Sequence, residues 1–276
     1  MPAAEKALWY IESHYSTDIA LADIAKIAGV SPFQLARLFQ SATGWSVVRY
    51  MRARRLTEAA RLLAAGAPDI LDLALSSGYA SHEAFTRAFR EQFGVTPDDV
   101  RQHGSVADIA LVEPLRSADE LPVALAAPRI ERSATQLIAG LGCRYNGATT
   151  QGIPAQWQRL TLSLNGVSPA GKTTFGVFCN SDDEGSFEYI AGFAVSSFSG
   201  LNASWSTIRL PERSYAVATH SGHISSIRRT WQSFTEHWLP QSGFEVADAP
   251  DFERYSADFD DTTGVGDVEI WIPLKS

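Results

Sequence analysis

The chain has 276 residues, of which 45% are hydrophobic and 20% are charged, as is usual for a folded globular protein. At roughly 150 residues per domain, this length predicts two domains. No apolar run approaches the roughly 18 residues that a membrane-spanning helix needs, and the N-terminal segment lacks the apolar core of a signal peptide. The cysteines, Cys143 and Cys179, form neither a disulfide framework nor a metal-binding pattern. These features predict a cytoplasmic protein that does not enter the membrane.

The net charge of −8 is unfavourable for DNA binding, but it is unevenly distributed. Residues 1–105 carry 11 basic and 11 acidic side chains, whereas residues 106–276 carry 12 and 20. Between residues 37 and 61, six arginines stand against a single glutamate, and they are Arg37, Arg49, Arg52, Arg54, Arg55 and Arg61. Because phosphate contacts depend on the local potential, the overall sign does not exclude DNA.

The segment from residue 20 to residue 97 contains the same pattern twice. Each copy has a short amphipathic helix, a turn at glycine, a serine that caps a second helix, and a Phe-x-x-x-x-Gly ending. The landmarks of the copies are 49 residues apart before the turn and 50 after it, because the second turn contains one extra residue, Ala80. This layout predicts two helix-turn-helix units, in which the second helix enters the major groove of DNA.

The first unit is predicted to have helices at residues 21–27 and 32–42. Gly29 suits the positive φ of the turn, and Ser31 is a good N-cap for the second helix. Leu38 is expected to pack inward with its apolar neighbours. The outer faces of the two recognition helices then carry Phe33, Gln34, Arg37 and Gln40 in the first unit, and His82, Glu83, Thr86, Arg87 and Arg90 in the second.

A longer helix is predicted for residues 46–64, which contain no helix breaker. At 1.5 Å per residue it is roughly 28 Å long. Successive major-groove segments on one face of DNA lie about 34 Å apart. This helix therefore has a suitable length for spacing two reading helices along DNA.

Residues 8–101 resemble the DNA-binding domain of the AraC/XylS family. The resemblance is carried by IAKIAGVSPFQLARLFQSATGWSVVRYMRARRLTEAARLL and ILDLALSSGYASHEAFTRAFREQFGVTPDDVR. It implies that the bases are faced by Phe33, Ala36 and Arg37 in the first unit and by His82, Glu83 and Arg87 in the second. Arg37 and Arg87 are the expected guanine contacts, because arginine can bond O6 and N7 together. The expected partners are double-stranded DNA and RNA polymerase.

Residues 106–128 are rich in proline, alanine and scattered charge, and they predict a linker between domains at residues 1–105 and 129–276.

In the second domain the order strand, helix, strand, strand occurs twice, with helices predicted at residues 153–164 and 225–238. This order predicts an α+β domain with pseudo-two-fold symmetry and a small-molecule groove between its halves. The expected fold is therefore multidomain, with an all-α double helix-turn-helix domain before this α+β domain.

The second domain resembles the GyrI-like effector-binding domain, through IPAQWQRL, YAVATHSGHISSIRRTWQSFTEHWLPQSGFEVADAPDFERY and GDVEIWIPLK. The resemblance implies a pocket for lipophilic, often cationic, compounds, which aromatic faces and a buried carboxylate would attract. Glu269 is the leading candidate for that carboxylate, because an acid among apolar strand residues is costly unless it is paired. The candidate aromatic walls, each of which is equally suited to an ordinary core, are Trp157, Tyr189, Trp231, Tyr255 and Trp271.

Residues 166–173 match the G-x-x-x-x-G-K-[ST] pattern of a phosphate-binding loop. They precede a predicted strand instead of a helix, so that no helix N-terminus would face the phosphates. His220 and His223 lack a third ligand at metal spacing. We therefore expect no nucleotide site, no metal, no cofactor and no catalytic residue.

The expected function is DNA-binding regulation of transcription under the control of a small-molecule effector. One alternative is a GyrI-like hydrolase, with a Glu and a Tyr at the centre of its pocket, fused to a DNA-binding module. Another is a second domain that mainly binds a protein partner.

Overall fold

The structure is a computed structural model that describes residues 3–67, 69–115, 123–147, 149–163, 171–182, 184–201 and 203–275. The chain divides into two units, Met1–Ser117 and Ala118–Ser276. No described helix is both long and apolar enough to cross a membrane. Most of the phosphate-loop pattern at residues 166–173 lies outside the described residues.

The first unit is helical, and its elements follow the repeated sequence pattern. The helix-turn-helix pairs are α2–α3 and α5–α6, and α4 joins them. Gly29 and Gly78 occupy the two turns with φ of 73° and 81°, which confirms the positive φ predicted at Gly29. The bounds are α1 (Ala3–His14), α2 (Leu21–Ala28), α3 (Pro32–Thr43), α4 (Val47–Ala64), α5 (Ile70–Ser76), α6 (His82–Phe93) and α7 (Pro97–His103).

Two hydrophobic clusters form the interior of this unit, one for each helix-turn-helix pair. Leu35 and Phe39 of α3 are fully buried in the first cluster, and Phe85 and Phe89 of α6 are fully buried in the second. Leu38 is 47% exposed, so the prediction that it packs inward is wrong. The reason is helical geometry: Leu38 lies about 100° around α3 from Phe39, outside the stripe that faces the core.

Arg54 ties α4 to α1 and to the chain that follows α7. Its side chain is 1% exposed, and its Nε and Nη2 lie 2.9 Å from the two carboxylate oxygens of Glu12. Its Nη1 donates to the carbonyl oxygen of Val112 at 2.7 Å. Tyr50 donates its hydroxyl to Glu12 at 2.6 Å and accepts the backbone N–H of Leu115 at 3.0 Å. The described chain up to Leu115 is thus attached to the helical unit, although the sequence predicted a linker from residue 106.

The positive patch counted from the sequence is smaller in the folded unit. Arg54 is buried in its ion pair, Arg55 donates to backbone carbonyls, and Arg61 pairs with two glutamates. Half of the six arginines remain exposed, namely Arg37, Arg49 and Arg52. Tertiary packing therefore diverts the other three from phosphate contacts.

The second unit is built on one eight-stranded antiparallel sheet. The strands are β1 (Arg129–Ser133), β2 (Gln136–Asn146), β3 (Thr174–Cys179), β4 (Ser186–Val195), β5 (Ser206–Leu210), β6 (Arg213–His220), β7 (Asp251–Tyr255) and β8 (Val268–Pro273). Their order is β1-β6-β8-β7-β3-β4-β2-β5. Exchanging β1–β4 with β5–β8 reverses this order onto itself, which confirms the predicted pseudo-two-fold symmetry. The central pair of strands is β3 and β7, one from each half.

Helices cover one side of this sheet. α8 (Ile153–Ser163) follows β2, and α9 (Ile227–Gln232) follows β6 and continues through a π-helical segment, Ser233–Trp238, into α10 (Leu239–Ser242). Alternate strand residues point to opposite sides of a sheet. We call the side that packs on α8 and α9 the helical face, and the side that carries the cluster with Phe252 and Trp271 the opposite face.

The buried ion pair of Arg54 yields a first prediction. Glu12→Gln is expected to lower the free energy of unfolding of the helical unit by about 3 kcal/mol, because Arg54 keeps a buried charge without its main carboxylate. The matched control is Asp98→Asn, whose partner Arg101 is partly exposed, with an expected loss of at most about 1 kcal/mol. Urea unfolding followed by circular dichroism at 222 nm measures both values. Equal small losses in the two variants would contradict the assignment.

Candidate functional site

The outer face of α3 carries the residues predicted to read DNA in the first helix-turn-helix pair. Ser31 caps the helix by accepting the N–H of Gln34, and Pro32 occupies its first position. Phe33 is 72% exposed, and the other members of this face are exposed as well: Gln34, Ala36, Arg37 and Gln40. Among the described residues Arg37 has no ion pair, so that its guanidinium is available to a base or a phosphate.

The outer face of α6 is arranged in the same way, with one exception. His82, Glu83, Arg87 and Arg90 are exposed, and Ser81 caps the helix by accepting the N–H of Ala84. Thr86 differs, because its hydroxyl is buried and has no hydrogen-bond partner among the described residues. Both recognition faces therefore present their predicted residues outward, while Thr86 lies at the edge of the second. Their roles in reading bases stay predictions.

A buried carboxylate lies at the centre of the helical face, and it belongs to Glu253 of β7. Glu253 is 4% exposed. Its Oε1 accepts the indole N–H of Trp231 at 2.7 Å, and its Oε2 accepts the hydroxyls of Tyr255 at 2.8 Å and Tyr189 at 3.0 Å. Trp157 in turn donates its indole N–H to the hydroxyl of Tyr189 at 3.1 Å. We call these five residues the Glu253 cluster.

The cluster draws on both halves of the domain. Trp157 comes from α8 and Tyr189 from β4, whereas Trp231 comes from α9 and Glu253 and Tyr255 from β7. Its rings meet edge to face, as aromatic pairs prefer. Trp157 and Tyr255 have centroids 5.0 Å apart, and Phe178 lies between Tyr189 at 4.9 Å and Trp231 at 5.0 Å. The structure thus brings together four of the six residues predicted for ligand binding.

Gly176 of β3 leaves the space that the cluster needs. It pairs with Glu253 across the two central strands. A Cβ placed on Gly176 would overlap the hydroxyl of Tyr189 and lie 2.9 Å from Oε2 of Glu253. A glycine inside a strand often marks such a close approach. Any larger residue here would separate the tyrosine from the carboxylate.

Burial dominates the electrostatics of the cluster. It raises the pKa of Glu253 above the ordinary glutamate value, and the three donors oppose that shift by stabilising the ionised form. Burial and the neighbouring carboxylate also raise the pKa of Tyr189 and of Tyr255 well above the ordinary tyrosine value. The tyrosines therefore remain protonated donors, and Glu253 is the member of the cluster that can carry a negative charge.

Glu269 and Trp271 do not join this cluster, so the expectation that Glu269 supplies the carboxylate between the aromatic walls is wrong in its geometry. Strand alternation places both residues on the opposite face. Glu269 pairs there with Arg129 at 2.6 Å and Arg254 at 2.7 Å. Burial acts to raise the pKa of Glu269, but these two arginines hold it below its ordinary value. Trp271 is buried in the core of that face, stacked on Phe252.

A cavity of about 730 Å³ lies on the opposite face. Its charged lining is Glu269, Arg254 and Asp267, and its apolar wall includes Phe175 and Ala194. The guanidinium of Arg254 lies over the Trp271 ring, 4.7 Å from its centroid. This volume lies within the range of small-molecule sites, but Glu269 is already paired with Arg254, and Asp267 accepts the hydroxyl of Ser221 at 2.9 Å.

Glu253, Phe178 and Gly176 are residues of this site that were not predicted from the sequence. A signal for Glu253 was present in the strand Asp-Phe-Glu-Arg-Tyr, because alternation puts Glu253 on the same side as Tyr255, which was recognised as a candidate wall. Alternation also separates Glu269 from that side, but only the pairing of β7 with β8 shows it.

The two histidines considered as metal ligands lie at the end of β6. His220 is within hydrogen-bonding distance of Thr230, at 2.7 Å, and burial lowers its pKa. His223 caps the 3₁₀ turn Ile224–Ser226. In the part of the chain that the structure describes, no group of three or more His, Cys, Asp or Glu side chains is placed to hold a metal ion.

Comparison with known proteins gives separate matches for the two units. A model of the GyrI-like small molecule binding domain matches residues 126–275, which is more than half of the chain, and a helix-turn-helix domain model matches residues 24–103. The transcriptional regulator Rob of Salmonella typhimurium is 38% identical over 109 residues, which cover 40% of this chain and 38% of Rob. The regulatory protein SoxS of Escherichia coli is 37% identical over 92 residues, which cover 33% of this chain and 86% of SoxS.

The match to Rob thus spans well under half of that relative's length. Among solved structures, SAV2435 bound to tetraphenylphosphonium is similar at 22% identity, with 55% of this chain and 95% of that chain covered and a TM-score of 0.44. The family matches agree with the elements described above, because residues 24–103 contain both helix-turn-helix pairs except the first three residues of α2, and residues 126–275 contain the whole sheet. The chain belongs to the GyrI-like family and joins that small-molecule binding domain to an AraC-type helix-turn-helix domain.

Proposed function

We propose that this protein is a cytoplasmic, DNA-binding regulator of transcription whose C-terminal domain binds a lipophilic cation at the Glu253 cluster. The observation that supports the ligand class is a buried carboxylate whose surroundings are aromatic. A cation gains from the charge of Glu253 and from the π faces around it, whereas an anion is repelled by both. RNA polymerase is the proposed protein partner, and the domain binds its ligand without catalysis.

The DNA-reading assignment predicts the effect of two substitutions. On a site selected from random DNA by the full-length chain, Arg37→Ala and Arg87→Ala are each expected to weaken binding by about 1–3 kcal/mol, because each removes a bidentate guanine contact. The control is Arg132→Ala, which removes an exposed arginine of the C-terminal domain that pairs with Glu212. Titration of labelled DNA at fixed salt measures all three. Unchanged affinity in both test variants would refute the assignment.

The ligand assignment predicts a difference between two carboxylates. Glu253→Gln keeps the size of the side chain and removes its charge, so it is expected to weaken the binding of aryl quaternary ammonium compounds at least about tenfold, or roughly 1.4 kcal/mol. The binding of neutral analogues of the same shape should change little. Glu269→Gln is the matched control and should retain cation binding. Calorimetric titration of the two variants measures both affinities. Loss of cation binding in Glu269→Gln, with binding retained in Glu253→Gln, would instead assign the ligand to the cavity beside Glu269 on the opposite face of the sheet.

A pH dependence follows from the raised pKa of Glu253. The cation binds the ionised carboxylate, and burial extends the protonated form to higher pH than for an ordinary glutamate. The affinity for a permanent cation is therefore expected to rise as the pH increases through that raised pKa. Asp251 also lies on the helical face, and burial raises its pKa to about 7. Glu253→Gln separates the two contributions, because any slope that survives in this variant belongs to Asp251.

One observation favours a second candidate function. Glu253 and Tyr255 form the pair of a glutamate and a tyrosine that the hydrolase alternative requires. Incubation of the full-length chain with electrophilic small molecules tests it. Turnover that disappears in Glu253→Gln would establish the hydrolase, whereas binding without turnover supports the sensor.

A further inference from the structure

Arg55 lies where α4 passes from one hydrophobic cluster to the other. The N-terminal part of α4, including Val47 and Tyr50, packs in the cluster of the first helix-turn-helix pair. The following part, from Leu56 to Leu63, packs in the cluster of the second pair. Since the two clusters are separate, contacts that cross this boundary determine how the pairs are oriented relative to each other.

On one side, the guanidinium of Arg55 is bonded to the first pair. Its Nε donates to the carbonyl oxygen of Tyr15 at 2.7 Å, and its Nη2 donates to the carbonyl oxygen of Thr17 at 2.6 Å. Both acceptors lie in the connection between α1 and α2. The planar guanidinium is thereby held in one orientation by two backbone groups.

On its other side, the same guanidinium lies against the turn of the second pair. A Cβ on Gly78 would be 2.8 Å from Nη1 of Arg55 and 3.4 Å from its Cζ. The ring of Tyr79, the next residue, packs edge to face on Phe85 of α6, with the two ring centroids 5.4 Å apart. Gly78 therefore combines a positive φ with the absence of a side chain at the point where Arg55 lies against the turn that precedes the second recognition helix.

We propose that Arg55 is a positioning residue that sets the orientation of α6 relative to α3 and thereby the half-site spacing that the protein reads. This inference rests on the proposed DNA-binding function. Arg55 is half-buried, and two of its three guanidinium nitrogens donate to backbone carbonyl oxygens, so we infer that it acts through the two recognition helices and not through phosphates. The contacts of Arg54 with Glu12 and Val112 form another brace, but they join α4 to α1 and to the chain after α7.

The spacing of half-sites is a sensitive measure of such an orientation. Inserting one base pair between half-sites rotates the second by about 35° around the DNA axis and moves it by about 3.4 Å. Two rigidly linked readers lose their joint binding when the geometry forbids simultaneous contact. A looser link tolerates several spacings, so that the preference for the best spacing declines even when each reader still recognises its half-site.

The experiment compares the spacing profiles of the wild type and three variants in the full-length chain. A site is first selected from random DNA, and its two halves are then separated by one to three added or removed base pairs. Arg55→Met keeps the aliphatic part of the side chain and removes its donors, and Arg55→Lys keeps the charge without the planar fork. The control is Arg49→Met, which removes one exposed positive charge from the same helix.

We expect the wild type to bind the best spacing at least about tenfold more tightly than the site with one added base pair. In Arg55→Met this ratio should fall to about threefold or less, with Arg55→Lys between the two, while the affinity for a single half-site stays within about twofold. Arg49→Met is expected to change the affinity for every site by a common factor and to preserve the ratio. An unchanged ratio in both Arg55 variants would overturn the inference, whereas failure of the wild type to select any sequence would refute the proposed function itself.

A second measurement does not depend on DNA. Spin labels at the exposed positions Ser41 and Glu91, in a chain whose two cysteines are replaced by serine, report the distance between the ends of α3 and α6. The inference predicts a broader distance distribution in Arg55→Lys than in the parent at equal helix content. A distribution of the same width in the folded variant would overturn it.

Discussion

The organisation of the second domain depends on the buried carboxylate of Glu253. An acid inside a protein is tolerated only when its oxygens are hydrogen-bonded, and Glu253 obtains its three donors from α9, β4 and β7. These bonds link β7 to α9 and, across the intervening strand β3, to β4. Gly176 satisfies the same requirement by leaving room for the hydroxyl of Tyr189. The aromatic surroundings that satisfy the carboxylate are also the ones that suit a lipophilic cation.

The first domain also contains a buried charge that needs bonded partners, and this charge is that of Arg54. Arg54 bonds to Glu12, to Glu58 and to the carbonyl oxygen of Val112, and this network attaches the chain after α7 to α1 and α4. Its neighbour Arg55 is directed to the boundary between the two hydrophobic clusters. The two adjacent arginines thus bond to different parts of the domain, because each successive residue of a helix is rotated by about 100° around its axis. The exposed arginines on the outer faces are the ones left for DNA.

Periodic patterns made the helical unit predictable from its sequence. The doubled arrangement of alanine, glycine, serine and phenylalanine depends on local geometry: glycines for the turns, serines for the caps, and phenylalanines at helical spacing for the core. Leu38 shows the limit of this reasoning, because an apolar side chain one position from the core stripe is read as buried when only its type is considered. The strands and helices of the second domain were predictable for the same local reasons, except that each half has two strands before its helix, where the predicted order has one.

The sequence by itself thus determined the two domain types, the repeated recognition helices and the aromatic, acidic character of the second domain. Only the tertiary structure decided which acid is buried, because Glu253 and Glu269 both lie inside strands and their faces are assigned by strand pairing. It also decided which arginines remain available to DNA, since ion pairs such as that between Arg54 and Glu12 join residues far apart in the chain. Local pattern specifies elements, whereas the partners of buried charges depend on contacts that form only when those elements pack together.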